Sequence, residues 1–220
     1  MIELFNEDCM EGMKRYPDKY FELAIVDPPY GHGHDVISNN ASRGKLAIAK
    51  DYGNGEWNNA IPTENYWLEL FRISNNQIIW GGNFFSLCPS QGWIVWDKVN
   101  YENDFADCEL AWTSFDRAIR QFTFQWNGML QGDMKNKEIR IHPTQKPVKL
   151  YEWLLKNYAK QGDKILDTHL GSGSIAIACY NLDFSLTGFE IDKDYFDGAV
   201  NRLEEHKKQG RLFDATVMVR

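Results

Sequence analysis

Five short apolar runs constrain the fold of this chain more than any other feature. They are Leu23-Ala24-Ile25-Val26, Gln77-Ile78-Ile79-Trp80, Trp93-Ile94-Val95-Trp96, Lys164-Ile165-Leu166-Asp167 and Leu186-Thr187-Gly188-Phe189. A strand without polar alternation is covered on both faces, which is the habit of parallel sheets flanked by helices. Helical periods separate the runs. Tyr66, Trp67, Leu70, Phe71 and Ile73 follow Thr63, a good N-cap. Val148, Tyr151, Leu154, Leu155 and Tyr158 follow Pro147, which suits a first helical position. Tyr195, Phe196, Ala199, Val200 and Leu203 repeat the pattern near the C-terminus. Alternating strands and helices predict an α/β fold, a doubly wound and mostly parallel sheet. With 220 residues, 43% of them hydrophobic, the chain reads as one domain over residues 1–220.

The formal charge of −7 excludes a protein that holds nucleic acid by bulk charge, and leaves room for a local basic face. No uncharged apolar stretch reaches transmembrane length, so no membrane partner is expected. Glu3, Glu7 and Asp8 stand where a signal peptide carries basic residues, which predicts a cytoplasmic protein. Cys9, Cys88, Cys108 and Cys179 form no C-x-x-C pair, so neither a metal site nor a redox motif is expected. Two segments break the rhythm. Residues 31–60 are polar and aperiodic and read as a mobile functional loop. Residues 101–140 are aromatic-rich and irregular and read as an insert that carries a partner-specific surface.

Open parallel sheets bind ligands at the carboxyl ends of their strands. Asp27-Pro28-Pro29-Tyr30 follows the first apolar run and sits at such an end. Two prolines fix the backbone and remove two N–H donors. A rigid hook of acceptors remains, the Asp27 carboxylate and the Pro28 carbonyl, with Tyr30 as an aromatic face beside it. These suit an amino group on a planar ring, whose two N–H bonds meet the two acceptors. A second element, Asp167-Thr168-His169-Leu170-Gly171-Ser172-Gly173-Ser174, follows another strand and opens the helix Ile175 to Cys179. Its glycines allow close approach of a ligand to the backbone. Glu190, at the end of the next strand, suits a ribose diol.

These two elements, together with His142-Pro143-Thr144-Gln145-Lys146-Pro147 between them, resemble the amino-group DNA methyltransferases that act on adenine N6 or cytosine N4. The order of hook, variable region, His-Pro-Thr-Gln-Lys-Pro and glycine loop resembles the circularly permuted β group, over roughly residues 2 to 205. The resemblance implies a Rossmann-like methyltransferase fold with S-adenosylmethionine as cofactor and DNA as partner. It implies a catalytic set of Asp27, Pro28, Pro29 and Tyr30. It also implies that Asp167, Gly171, Ser172, Gly173 and Ser174 hold the methionine portion of the donor. Glu190 takes its ribose, Asp8 with Cys9 lies near its adenine, and Thr144 and Lys146 lie near its carboxylate. Asp8 also reads as a helix N-cap completed by Glu11, and both roles are compatible. The family usually has Pro-Phe where this chain has Thr168-His169. The segment 101–140 then becomes a small target-recognition insert.

Residues 134–149 carry Lys135, Lys137, Arg140, Lys146 and Lys149 against Glu138 alone. With Arg43, Lys45, Arg117 and Arg120, the residues Lys135, Lys137 and Arg140 read either as phosphate contacts or as a solvated charged face. Trp112-Thr113-Ser114 and Phe122-Thr123-Phe124 read as buried strand residues in preference to base readers. The expected activity is site-specific methylation of adenine N6 in DNA, the target base being flipped from the duplex onto Tyr30. Cytosine N4 methylation is the runner-up. A non-catalytic DNA-binding module and an adenine-nucleotide oxidoreductase are the alternatives from other classes. A homodimer is compatible with the reading.

Overall fold

A computed structural model describes residues 1–31, 61–101, 106–127 and 130–217, with side chains up to residue 209. Along the chain the strands are β1 (Ile2–Asn6), β2 (Phe21–Val26), β3 (Ser74–Trp80), β4 (Trp93–Asp97), β5 (Cys108–Thr113) and β6 (Arg120–Thr123), then a small hairpin of β7 (Trp126–Asn127) and β8 (Leu130–Gln131), then β9 (Lys164–Asp167) and β10 (Ser185–Glu190). The helices are α1 (Cys9–Met13), α2 (Glu64–Ile73), α3 (Val148–Tyr158), α4 (Ser174–Asn181) and α5 (Lys193–Val217). Eight strands form one sheet in the order β1-β10-β9-β2-β3-β5-β4-β6. The run from β1 to β3 is parallel. β5 lies antiparallel to both β3 and β4, and β6 runs parallel to β4.

The apolar runs are buried on both faces. Leu23 and Ile25 of β2 pack with Ile78 and Trp80 of β3 and with Leu150 and Leu154 of α3. Their neighbours Ala24 and Val26 point the other way, onto Met13, Leu70 and Ile73. Burial of such a side chain stabilises the fold by about 1.5–3 kcal/mol. This two-sided layer is the doubly wound architecture that the sequence predicts.

β9 and β2 are neighbours, yet the chain leaves them in opposite directions, from β9 to β10 and from β2 to β3. A crevice opens at the carboxyl ends of strands where the order reverses in this way. The glycine loop follows β9 and the hook follows β2, so topology alone brings the two candidate elements to one place.

Several local expectations are refined. Asp8 caps α1 by accepting from the Met10 N–H at 2.8 Å, while the Glu11 carboxylate turns to Lys14 instead of completing a capping box. Pro147 is the residue before α3, not its first, and the Val148 N–H is satisfied by Glu138 Oε1 at 2.9 Å. The segment 101–140 is not wholly an insert. Its Cys108–Thr113 stretch forms β5 between β3 and β4, with Ala111 and Trp112 in the core. Cys108 and Glu109 at its start are polar and mask the strand in a reading by apolar runs. Most of the loop expected over 31–60, with Arg43 and Lys45, lies outside the described residues. Among the described residues no helix is long and apolar enough to cross a membrane.

Candidate active site

The hook is built around the Asp27 carboxylate. Tyr30 donates its hydroxyl to Asp27 Oδ1 at 2.6 Å, and the Lys146 ammonium pairs with Oδ2. Lys146 Nζ also lies 3.1 Å from Glu109 Oε2, and Glu109 pairs in turn with Lys98. Four charges of alternating sign therefore form a chain that starts at the hook. The Lys146 side chain is only 2% exposed, and its ammonium lies 5.2 Å from the centre of the Trp80 ring. Burial opposes the charge on both inner groups. The neighbours outweigh it, holding Glu109 down at about 2 and raising Lys146 above its usual value. Both are ionised at neutral pH.

Tyr30 is seated as well as bonded. Its ring stacks on Phe84 at 5.1 Å between centroids, and its edge meets Phe85. Gly81 has φ +66°, and a Cβ there would lie 2.2 Å from the Tyr30 ring. Only glycine adopts that conformation freely and leaves that space. Tyr30 thus has a task beyond the stacking surface expected from sequence: it orients Asp27.

On the other side, Asp167 ends β9, and its Oδ1 accepts the His169 N–H at 3.0 Å. Burial pushes its carboxyl up to about 8. Gly171 (φ +51°) donates its N–H to Glu190 Oε2 at 2.7 Å, and Glu190 Oε1 accepts from the Asp192 N–H at 2.9 Å. Each Glu190 oxygen keeps a lone pair for an incoming donor. Gly173 (φ +69°) turns the chain into α4, with Ala199 close behind. Arg202 donates to the Ser172 carbonyl and the Ser174 hydroxyl, both at 2.9 Å, and pairs with Glu138. One guanidinium thereby ties the glycine loop to the segment that leads into the His142 to Pro147 motif.

Thr168 and His169, which stand in place of the Pro-Phe of the resemblance, form a partly buried chain with Tyr66. Tyr66 OH lies 2.7 Å from Thr168 Oγ1, which lies 2.9 Å from His169 Nδ1. The imidazole fills an aromatic's place and meets Tyr66 edge-on. Burial lowers His169 from 6.5 to about 4, so it is neutral in the fold while the unfolded chain takes up a proton below 6.5. The stability it contributes is full above pH 6.5 and lost as pH falls toward 4. His169→Phe is expected to remove up to ~3 kcal/mol of that acid-side loss. Urea denaturation of both proteins from pH 7 to pH 4.5 tests this, the comparison separating His169 from Asp167, which titrates in the opposite sense. Parallel pH profiles would show that His169 is not neutral by burial.

Hook and loop meet at a cavity of about 300 Å³. Of the residues singled out from sequence, Asp27, Pro29, Thr144, Lys146, Gly171, Ser172 and Glu190 line it. Pro28, Tyr30, Asp8, Cys9, Asp167, Gly173 and Ser174 are not on its wall. Asp8 caps α1, and burial raises the Cys9 thiol to about 12, which leaves it protonated. Lys146, expected beside the donor's carboxylate, lines the cavity with its ammonium paired to Asp27 and Glu109. His142, Tyr151, His169 and Tyr195 also line the cavity. Tyr151 and Tyr195 read as core positions of helical periods, and nothing in their spacing marks a site. His142 meets Tyr195 edge-on at 4.3 Å, and burial holds it down at about 4.

The basic residues divide. Arg117 donates to the Asn157 carbonyl and covers Phe115 and Tyr158. Arg140 donates to the Pro143 carbonyl and lies over Trp126. Arg120, Lys135 and Lys137 are exposed.

Comparison with known proteins gives a consistent picture. A family profile described as DNA methylase matches residues 95–201. The type II methyltransferase M.HpaI of Haemophilus parainfluenzae is 41% identical, over 91% of this chain and 74% of that protein. Among solved structures, the M1.HpyAVI–SAM complex superposes with a TM-score of 0.57 at 22% identity, over 92% of this chain and 100% of that one. The cytosine-N4-specific PvuII DNA methyltransferase gives 0.56 at 15% identity, over 94% and 90%. These two share the fold.

Proposed function

The chain belongs to the DNA methylase family of amino-group methyltransferases, and from that premise we propose that it transfers a methyl group from S-adenosylmethionine to N6 of an adenine flipped out of DNA. The observation that carries the reading is the Asp27 carboxylate. It is oriented by Tyr30 and Lys146 on the wall of a cavity that Gly171 and Glu190 also line.

The residues present fit the donor. The cavity volume lies at the lower end of the range for small-molecule sites. A Cβ at Gly171 would have no neighbour nearer than the His142 ring at 3.8 Å, so the glycine leaves open space at the wall. Glu190, fixed by two backbone N–H groups, offers its remaining lone pairs to a ribose diol. Lys146 offsets one of the two acids on the wall, Asp27 and Glu190, and the negative charge left over suits a cation. S-adenosylmethionine, when bound, supplies an electrophilic methyl group.

The chain's own residues then act on the amine. An exocyclic amino group is a poor nucleophile because its lone pair is delocalised into the ring. Asp27 accepts one of its N–H bonds, with the Pro28 carbonyl as the second acceptor, and this favours a pyramidal nitrogen. The carboxylate also stabilises positive charge that develops there and takes up the proton that the nitrogen sheds. Holding the two reactants in one crevice contributes the entropic share of catalysis. Lys146 keeps Asp27 in one orientation, and Glu109 offsets the Lys146 charge so that the carboxylate keeps its accepting power.

Asp at the first position of the hook favours adenine over cytosine by resemblance. The product decides. DNA treated with the purified protein and the donor is expected to yield N6-methyladenine on digestion to nucleosides and mass spectrometry. Predominant N4-methylcytosine would overturn the base assignment, and no methylated base on any DNA would overturn the activity.

A further inference from the structure

The first turn of α3 brings Tyr151 to the cavity wall. The residue is only 7% exposed, and its hydroxyl makes no hydrogen bond among the described residues. That hydroxyl is not among the sealed, unpartnered polar atoms, so it stays accessible, and a leucine or phenylalanine would fill a core position without it. A phenol at a cavity wall instead calls for a partner that enters the cavity. Burial raises Tyr151 well above its usual value, and the carboxylates of Asp167, Asp27 and Glu109 raise it further against the guanidinium of Arg202. The phenol is therefore neutral. Tyr151 shares its cavity wall with Asp27 of the hook and with Gly171 and Glu190.

In the donor reading, the group transferred within this cavity is the methyl of a sulfonium. Its C–H bonds are polarised by the cationic sulfur and act as weak donors to oxygen. We infer that Tyr151 is a further catalytic residue, whose phenolic oxygen accepts C–H···O contacts from the methyl group being transferred and holds that carbon between the sulfur and the amine at Asp27. The inference rests on the donor reading above. It adds no covalent step: the amine lone pair forms the new N–C bond, the C–S bond pair leaves with sulfur, and the nitrogen's proton goes to Asp27.

A binding experiment tests it without reference to turnover. S-adenosylhomocysteine has the same adenosine and amino-acid parts as S-adenosylmethionine but lacks the methyl group and the sulfonium charge. Calorimetry on the parent protein and on Tyr151→Phe, with each ligand, is expected to show S-adenosylmethionine weakened about two- to fivefold by the substitution while S-adenosylhomocysteine is unchanged. Tyr151→Leu is expected to shift the same ratio, which guards against a local effect of the phenylalanine ring. Equal weakening of both ligands would assign Tyr151 to packing and overturn the inference, as would an unchanged ratio. Failure of the parent protein to bind either ligand, with or without DNA, would instead overturn the donor reading.

Discussion

Asp27→Ala is expected to lower the rate of methyl transfer by about 10²- to 10⁴-fold, the range for removing a group that both accepts a proton and stabilises developing charge. Donor affinity should change far less, because Gly171 and Glu190 approach the cavity from other strands and are satisfied independently of Asp27. The fold should survive as well. Lys146 loses one of its two carboxylates and keeps Glu109 at 3.1 Å, so the buried ammonium is not stranded. Asp27→Asn is the sharper variant, since it preserves shape and the bond from Tyr30 while removing the charge. Single-turnover rates with tritiated donor, beside calorimetry of donor binding, separate the two effects. Turnover within a few-fold of the parent in Asp27→Ala would remove Asp27 from the chemistry.

The sheet was legible in the sequence wherever burial is two-sided. Leu23 to Val26 and Lys164 to Asp167 have no polar alternation, and they became β2 and β9 at the centre of the sheet. β5 was legible only at its end, where Trp112 and Thr113 read as buried strand residues, because it is antiparallel and begins with the polar Cys108 and Glu109. The hook was legible because two prolines beside an acid at a strand end have few other uses. What spacing does not encode is the direction of a long side chain. Lys146 stands in a recognised motif, yet whether its ammonium faces a ligand or the hook depends on Glu109, which lies at the polar start of β5 that the pattern did not reveal. Tyr151 and Tyr195 were hidden for a related reason. A helix face that lines a cavity has the same apolar period as one that fills a core, and only their presence on the cavity wall separates them.

Lys146→Met is expected to destabilise the protein by about 3–5 kcal/mol, because it leaves two carboxylates facing each other without the ammonium between them. Against the typical domain stability of about 5–15 kcal/mol that is a severe loss. The cost has a definite origin. Glu109 is held down at about 2 by Lys146 and Lys98 against the opposing pull of burial. Without Lys146 the balance moves toward burial, and the Glu109 carboxyl is driven back toward its protonated form. Adding Asp27→Asn or Glu109→Gln to Lys146→Met should therefore recover part of the stability, since each removes one of the stranded charges. Lys98 retains a partly exposed side chain and can turn to solvent in the second case. Urea denaturation of the single and double variants at pH 7 gives these differences directly. The experiment also discriminates between two places for the ammonium. Beside the donor's carboxylate, its removal would weaken donor binding and leave the unliganded protein as stable as before. Inside the charge chain, its removal destabilises the unliganded protein and is partly repaired by a second, charge-neutralising substitution. An unchanged denaturation midpoint in Lys146→Met would return the residue to the donor site and dismantle the chain from Asp27 to Lys98.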